Sequence, residues 1–272
     1  MQKTWRSTLL VAYTLAILAF LYLPLFILTL YSFNDSRINA VWAGFTLKWY
    51  ASLLSNDRVL EALTNSLLIA SITTVVTTIM GTFAAIALHR YQYRSKTVLN
   101  SLLYLPILIP EIVMGLSLLI LFSQLGLSLG KPTLIVAHIT FCLPYVIFNV
   151  SPKLRQLDGS LYNAALDLGC TPRQAFFKVI LPQLSPAIMS AFLICLTYSI
   201  DDFMISYFNC GTMQTLPIAI YSMTRKKVSP EINALSTIMF LVILAIILTS
   251  NAMDSRAYKR NQKAIRRAAA EQ

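Results

Sequence analysis

A chain of 272 residues with 57% hydrophobic and only 12% charged side chains carries about half the charge of an ordinary soluble domain. Its mean hydropathy of +0.66 leaves almost no soluble mass, which excludes a water-soluble enzyme and leaves no room for a second domain. The net charge of +11 reads as membrane topology, because no aromatic-interleaved basic patch supports a nucleic-acid partner.

A transmembrane helix needs about 20 mostly apolar residues, and six such segments are predicted: 9–31, 62–88, 98–125, 132–151, 184–206 and 234–253. The fold class is therefore an all-α membrane protein, with one transmembrane domain spanning 1–272. The first segment exceeds the apolar core of a secretory signal, and no clear small-x-small cleavage site follows it. It is read as a retained span that starts from the cytoplasm at Lys3 and Arg6. Next comes an outer loop containing Trp42, Trp49 and Tyr50, placed like interface anchors with one apolar and one wet side.

The third segment is interrupted by Pro106 and Pro110, followed by Glu111. Proline removes a backbone donor and disfavours helix just before itself. The freed backbone groups must find protein or cavity water, since lipid cannot satisfy them. Glu111 lies about 20 Å from the cytoplasmic end of this segment at 1.5 Å per residue. A charge at that depth costs at least about 2.5–3.5 kcal/mol, so Glu111 either faces an internal pathway or only caps the restarted helix. After this segment, Gly126 to Lys131 leaves three residues between its glycines where a phosphate-binding loop needs four, and Pro132 takes the Ser/Thr position. ATP must therefore act through another polypeptide.

Between the fourth and fifth segments, residues 158–182 form a polar stretch in an otherwise greasy chain. Leu161, Ala165 and Leu168 fall at i, i+4 and i+7 and predict one short amphipathic helix, with Asn163 and Asp167 on the opposite face. Gly169 suits a left-handed C-cap. Thr171 and Gln174 form a capping-box pattern with Pro172 at the first helical position. A second short helix is expected to run to Pro182, giving a compact two-helix knob.

The fifth segment ends in Asp201 and Asp202, with Tyr198 and Tyr207 close in sequence. Successive helix positions are about 100° apart, so the two carboxylates cannot point the same way. One is expected to face a pathway while the other caps or bonds a neighbour; both could also be solvated interfacial acids. Tyrosine faces attract organic cations, although tyrosine at a membrane boundary is also common for structural reasons. The four cysteines are scattered, with no metal-ligand or disulfide spacing. No catalytic constellation, cofactor site or metal site is indicated.

Fifteen of the 22 Lys and Arg fall in segments that are cytoplasmic if both termini are inside. The positive-inside rule then places both termini and the 158–182 stretch in the cytoplasm. The basic tail, from Arg256 to Arg267, either obeys that rule as a solvated helix end or lies against anionic lipid.

Asn163-Ala164-Ala165, Gly169 and Val179-Ile180-Leu181-Pro182 resemble the EAA loop of ABC-importer permeases. That loop reads Glu-Ala-Ala, three residues, Gly, nine residues, Ile, one residue, Leu-Pro. The spacing matches throughout; Asn163 stands for the Glu and Val179 for the Ile. The resemblance implies that Asn163, Ala164, Ala165, Asp167, Gly169, Leu181 and Pro182 belong to a coupling element that docks on an ATP-hydrolysing subunit. Further strings are similar to the permeases of spermidine/putrescine importers, in particular to the second of their two permease subunits. These are Phe33-Asn34-Asp35-Ser36, Gly44-Phe45-Thr46, Lys48-Trp49-Tyr50, the run from His138 to Pro144, Asp201-Asp202 with Ser206, and Ser229-Pro230-Glu231.

This likeness implies the six-span type I importer architecture in a bacterial inner membrane. The acids by themselves suggest a positively charged cargo, and the likeness sharpens it to a polyamine, expected to pass Asp201, Asp202, Tyr198 and Tyr207 and then Glu111. The partners it implies are a second permease subunit in a heterodimer, two ATP-binding cassette subunits and an extracytoplasmic polyamine-binding protein. A permease of the same architecture for another cargo, such as ferric iron, is the alternative. A secondary carrier is disfavoured, because no inverted repeat is visible.

Overall fold

The computed structural model describes residues 2–36, 41–91, 95–226, 230–245 and 248–249. The basic tail, Arg37, Arg94, Lys227, Ser229 and the end of the sixth predicted span lie outside these residues. The described chain is helical, apart from one isolated antiparallel bridge between Asn34 and Phe45. It divides into two compact units, residues 1–60 with 220–272 and residues 61–219.

The first unit contains α1 (Gln2–Tyr31), α2 (Lys48–Leu54) and α12 (Pro230–Ala245). Along α1, Leu10, Tyr13, Phe20 and Phe26 are each more than half exposed, a surface that only lipid or another membrane protein can cover. The loop after α1 folds on itself. Asn34 is buried; its amide donates to the Val41 carbonyl at 2.8 Å and its side-chain oxygen accepts the Ala43 N–H at 2.8 Å. The Trp49 indole donates to the Asn34 carbonyl at 2.7 Å, and the Tyr50 and Ser32 hydroxyls pair at 2.7 Å. Phe33 stacks on both Phe45 and Tyr50. Trp49 is therefore a buried clamp and not the expected interface anchor, because its N–H closes the loop onto the Asn34 carbonyl. Trp42 remains half exposed, as anticipated. Ser52 donates to Glu231 at 2.7 Å, which ties α2 to the start of α12.

The second unit is built on α6 (Lys131–Gln156), which packs along α9 (Leu181–Asp201). Cys142, Val146 and Val150 of α6 meet Leu184, Ala191 and Cys195 of α9 in one core. The buried cysteines act there as small apolar fillers, as the sequence suggests. α3 (Asp57–Arg90) approaches α6 at Gly81, where a Cβ would come within 2.6 Å of Val146. α4 (Lys96–Leu108), α5 (Glu111–Gln124) and α10 (Met204–Asn209) complete the unit, with α7 (Ser160–Asp167) and α8 (Pro172–Ala175) between α6 and α9. α11 (Leu216–Lys226) closes the helix series before α12.

Among the described residues four helices are long and apolar enough to cross a membrane: Thr8–Tyr31, Asp57–Arg90, Lys131–Gln156 and Pro172–Asp201. The pair α4 and α5 meets at 106° and adds a fifth span if counted as one. The sixth predicted span is represented among the described residues by the shorter apolar helix α12.

The break in the third span falls at one proline, not two. Pro106 stays inside α4, whereas Ile109 is extended (φ −73°, ψ 132°) ahead of Pro110, the conformation that a following proline imposes. The fifth span also differs from expectation. The helix that starts at Pro172 does not stop at Pro182 but continues to Asp201. One wide turn, Phe176–Ile180, joins the two parts, with the Leu181 N–H donating to the Phe176 carbonyl five residues back. Widening the turn relieves the clash that Pro182 would make with the carbonyl four residues earlier. The 204–206 end of the predicted span belongs instead to α10.

Candidate functional site

At the α4–α5 break the backbone restarts with Glu111 as the first residue of α5, and no side chain caps that helix. Glu111 is exposed and stands in the first turn of α5, where a carboxylate also suits the helix dipole. α5 packs closely on α10. A Cβ on Gly115 would lie 3.0 Å from the Phe208 ring and 3.2 Å from the Met204 carbonyl, and Asn209 donates to the Gly115 carbonyl at 3.1 Å. This contact brings the start of α5 to the junction between α9 and α10, where Asp201 and Asp202 sit. Glu111 lies within Coulombic range of both.

The two aspartates point different ways, and not by a helical offset: α9 ends at Asp201, and Asp202 is already extended (φ −64°, ψ 122°). Asp201 ends α9 and is exposed. Asp202 is only 7% exposed and turns inward. It accepts the Ser206 N–H at 2.7 Å and the Ile205 N–H at 3.3 Å, which caps the first turn of α10. Behind it, His138 of α6 lies 3.3 Å from the carboxylate. The two ring nitrogens of His138 pair with the Ser199 and Ser206 hydroxyls at 2.8 and 3.0 Å. One buried imidazole thus locks α6, α9 and α10 together around the acidic corner. In the sequence alone nothing marks His138 for this role, because its partners lie 61 and 68 residues away.

Tyr198 stands one turn before the aspartates and is 41% exposed. Its ring packs edge-on against Tyr145 at 4.7 Å and near Phe141 at 6.1 Å. Tyr145 also lies within electrostatic range of Glu111. It was missed from sequence, although it follows Pro144 on the α6 face that meets α9. Tyr207 is half exposed and groups with Phe203 and Phe208 on α10. The structure therefore brings Glu111, Asp201, Tyr145 and Tyr198 to one acidic, aromatic corner, with Asp202 held behind it. Such a corner offers negative charge and ring faces to a cation, but it contains no nucleophile–base pair. Among the described residues no group of His, Cys, Asp and Glu could hold a metal ion.

The 158–182 stretch forms a second exposed feature. Ser160 donates its N–H to Asp158 at 2.9 Å, which holds that carboxyl below the ordinary aspartate range. α7 ends at Gly169 with φ +84°, and the Thr171–Gln174 capping box forms as predicted, with bonds of 3.3 and 2.9 Å. Ala165 is buried, while Asn163, Ala164 and Asp167 are exposed. Leu168 departs from the predicted apolar stripe: it is 86% exposed, because the chain is already turning at the helix end. Phe177 is likewise 58% exposed, so two large apolar side chains stand out on this stretch. Leu181 is half-buried and Pro182 exposed in the first turn of α9. Arg90 of α3 lies over the Tyr162 ring at 5.2 Å, and Phe83 stacks with Phe176 at 6.4 Å. These contacts tie the hairpin to the end of α3, beside a cavity of about 630 Å³ lined in part by Arg90, Asp158, Tyr162 and Asn163.

Residues 77–263 match the family described as binding-protein-dependent transport system inner membrane component. The spermidine/putrescine transport system permease protein PotC of Escherichia coli (strain K12) is 40% identical over 247 residues, covering 90% of this chain and 94% of that protein. The putrescine transport system permease protein PotI of the same strain is 38% identical over 276 residues, covering 98% and 96%. Among solved structures, a bacterial ABC transporter involved in import of the acidic polysaccharide alginate superposes with a TM-score of 0.74 at 16% identity, covering 94% of this chain and 96% of that one. That level of likeness carries the fold, a type I ABC-importer permease. Family match, relatives and fold agree, and the chain belongs to the family of binding-protein-dependent transport system inner membrane components.

Proposed function

We propose that this chain is one of two membrane-spanning permease subunits of an ATP-driven importer that carries polyamines, spermidine or putrescine, into the cytoplasm. The observation that carries this reading is the corner at the α4–α5 break. Exposed Glu111 and Asp201 stand beside the Tyr145 and Tyr198 rings, in a chain 40% identical to a spermidine/putrescine permease. A polyamine is a flexible chain of protonated amines, so it needs spaced negative charges and ring faces and no covalent chemistry. Glu111 and Asp201 supply the charges, Tyr145, Tyr198 and Tyr207 the rings, and Asp202 holds the corner's shape.

The chain crosses the inner membrane six times with both termini in the cytoplasm. An extracytoplasmic binding protein delivers the cargo, and a pair of ATP-binding cassette subunits drives transport. Asn163, Ala164, Ala165, Asp167, Gly169, Leu181 and Pro182 form the coupling element against one of those subunits, with Leu168 and Phe177 as its apolar contacts. Asn163 in place of an acid leaves Arg90 without a second carboxylate at this cavity, so docking rests on shape and apolar contact. The test is uptake of labelled spermidine and putrescine by the assembled transporter in vesicles. Glu111→Gln with Asp201→Asn should reduce uptake by tenfold or more without changing assembly, taking about 1 kcal/mol for each lost charge contact. Undiminished uptake in the double variant overturns the pathway.

A further inference from the structure

Where α3 and α6 end and α4 begins, three helix faces converge on a cavity of about 140 Å³. Ala85 and His89 come from α3, Lys96, Asn100 and Leu103 from α4, and Ile147 and Arg155 from α6. Each set follows helical spacing and is graded in the same sense. Ala85, Leu103 and Ile147 lie towards the middle of the spans; His89, Lys96 and Arg155 lie at the ends that share one membrane face. From Ile147 to Arg155 the grading covers about 12 Å at 1.5 Å per residue. Tyr104 stacks on Phe148 at 4.2 Å in the wall of the cavity. Among the described residues no Asp or Glu lines the cavity, and Lys96 and Arg155 bring positive charge to it. Lys96 spends one of its three donors on the Tyr91 carbonyl at 3.2 Å. The remaining donors of Lys96 and Arg155, with Asn100 and His89, are available to an anion.

We infer that this cavity binds the phosphate of an anionic phospholipid, with the headgroup between Lys96 and Arg155 and the start of the acyl chains against Leu103 and Ile147. A free phosphate would use the charged rim alone and would have no use for the apolar depth, whereas a lipid matches the whole gradient. No residue of the acidic corner or of the 158–182 hairpin lines this cavity, although His89 also lines the cavity beside the hairpin, and the inference requires neither the cargo assignment nor a particular orientation of the termini. Lipid bound between α3, α4 and α6 would brace the α4 arm, whose other end is the break that presents Glu111.

The experiment uses the complete transporter, extracted from membrane and exchanged into nanodiscs of phosphatidylcholine with or without phosphatidylglycerol; retained lipid is quantified by native mass spectrometry. Wild type should retain phosphatidylglycerol in preference to phosphatidylcholine. Lys96→Gln and Arg155→Gln should each weaken that retention about fivefold, the loss expected per basic residue at an anionic surface. Lys153→Gln, at the same end of α6 but outside the cavity, should leave it unchanged. Equal retention of both lipids by wild type overturns the inference, as does a double variant that retains phosphatidylglycerol undiminished. Displacement of the lipid by inorganic phosphate at matched ionic strength overturns the lipid as the occupant and leaves a free anion in its place. If the double variant fails to assemble, the wild-type comparison of the two lipids decides alone.

Discussion

Adjacent aspartates with opposite surroundings give a sharp test of the acidic corner. Asp202 accepts two backbone N–H groups of α10, at 2.7 and 3.3 Å, and lies 3.3 Å from the buried His138. Asp202→Ala removes the cap and strands the same two buried N–H groups, which had bonded a charged acceptor, at about 1.5–3 kcal/mol. That is a fall in Tm of roughly 3–12 °C at about 2–4 °C per kcal/mol. Asp202→Asn keeps one oxygen for the shorter bond and should lose about half as much. Asp201→Ala removes an exposed side chain and should leave Tm unchanged or slightly raised, since Glu111 loses a like charge within Coulombic range. The assay is thermal unfolding of the purified, assembled transporter, with each variant melted beside wild type at one scan rate. A fall of less than about 2 °C for Asp202→Ala, or an equal fall for Asp201→Ala, would refute the division of roles.

Three further substitutions probe other contacts. Gly211→Ala should abolish assembly on size-exclusion chromatography, because at φ +65° its Cβ would lie 2.5 Å from the Leu129 carbonyl, a backbone atom that cannot yield. Gly169→Ala has open space and only the left-handed backbone to strain; it should assemble normally at a cost of about 1 kcal/mol. Trp49→Phe removes the donor to the buried Asn34 carbonyl and should cost about 1–3 kcal/mol in a thermal melt, whereas Trp42→Phe, half exposed, should cost nothing measurable. Leu168→Asp, on a side chain 86% exposed, should leave Tm unchanged while lowering ATP-driven uptake; normal uptake would remove Leu168 from the coupling surface.

Much of the molecule was legible one segment at a time. Apolar length alone marked the helices Thr8–Tyr31, Asp57–Arg90 and Lys131–Gln156, because lipid forces every spanning segment to satisfy its backbone internally. Gly169 and the Thr171–Gln174 box were legible because a cap depends on residues within one turn of itself. Reading failed where the outcome depended on what lies opposite. Pro182 is written as a stop, yet a wide turn carries the helix through it and the packing of Leu184 against α6 holds it there. Trp49 is written as an interface residue, yet the loop fold buries it.

By itself, the sequence determined that the chain is a bundle of lipid-crossing helices, with one polar hairpin and a few acids too costly to be incidental. Hydropathy, charge asymmetry and local capping act over a few turns and need no partner to be read. Only the tertiary structure decided which acid is exposed and which is buried. It drew Tyr145 into the corner, and it set His138 as the bolt joining α6 to the α9–α10 junction. Those outcomes depend on α6 meeting α9 and α10 at contacts 61 and 68 residues apart along the chain, a distance over which no periodicity carries information.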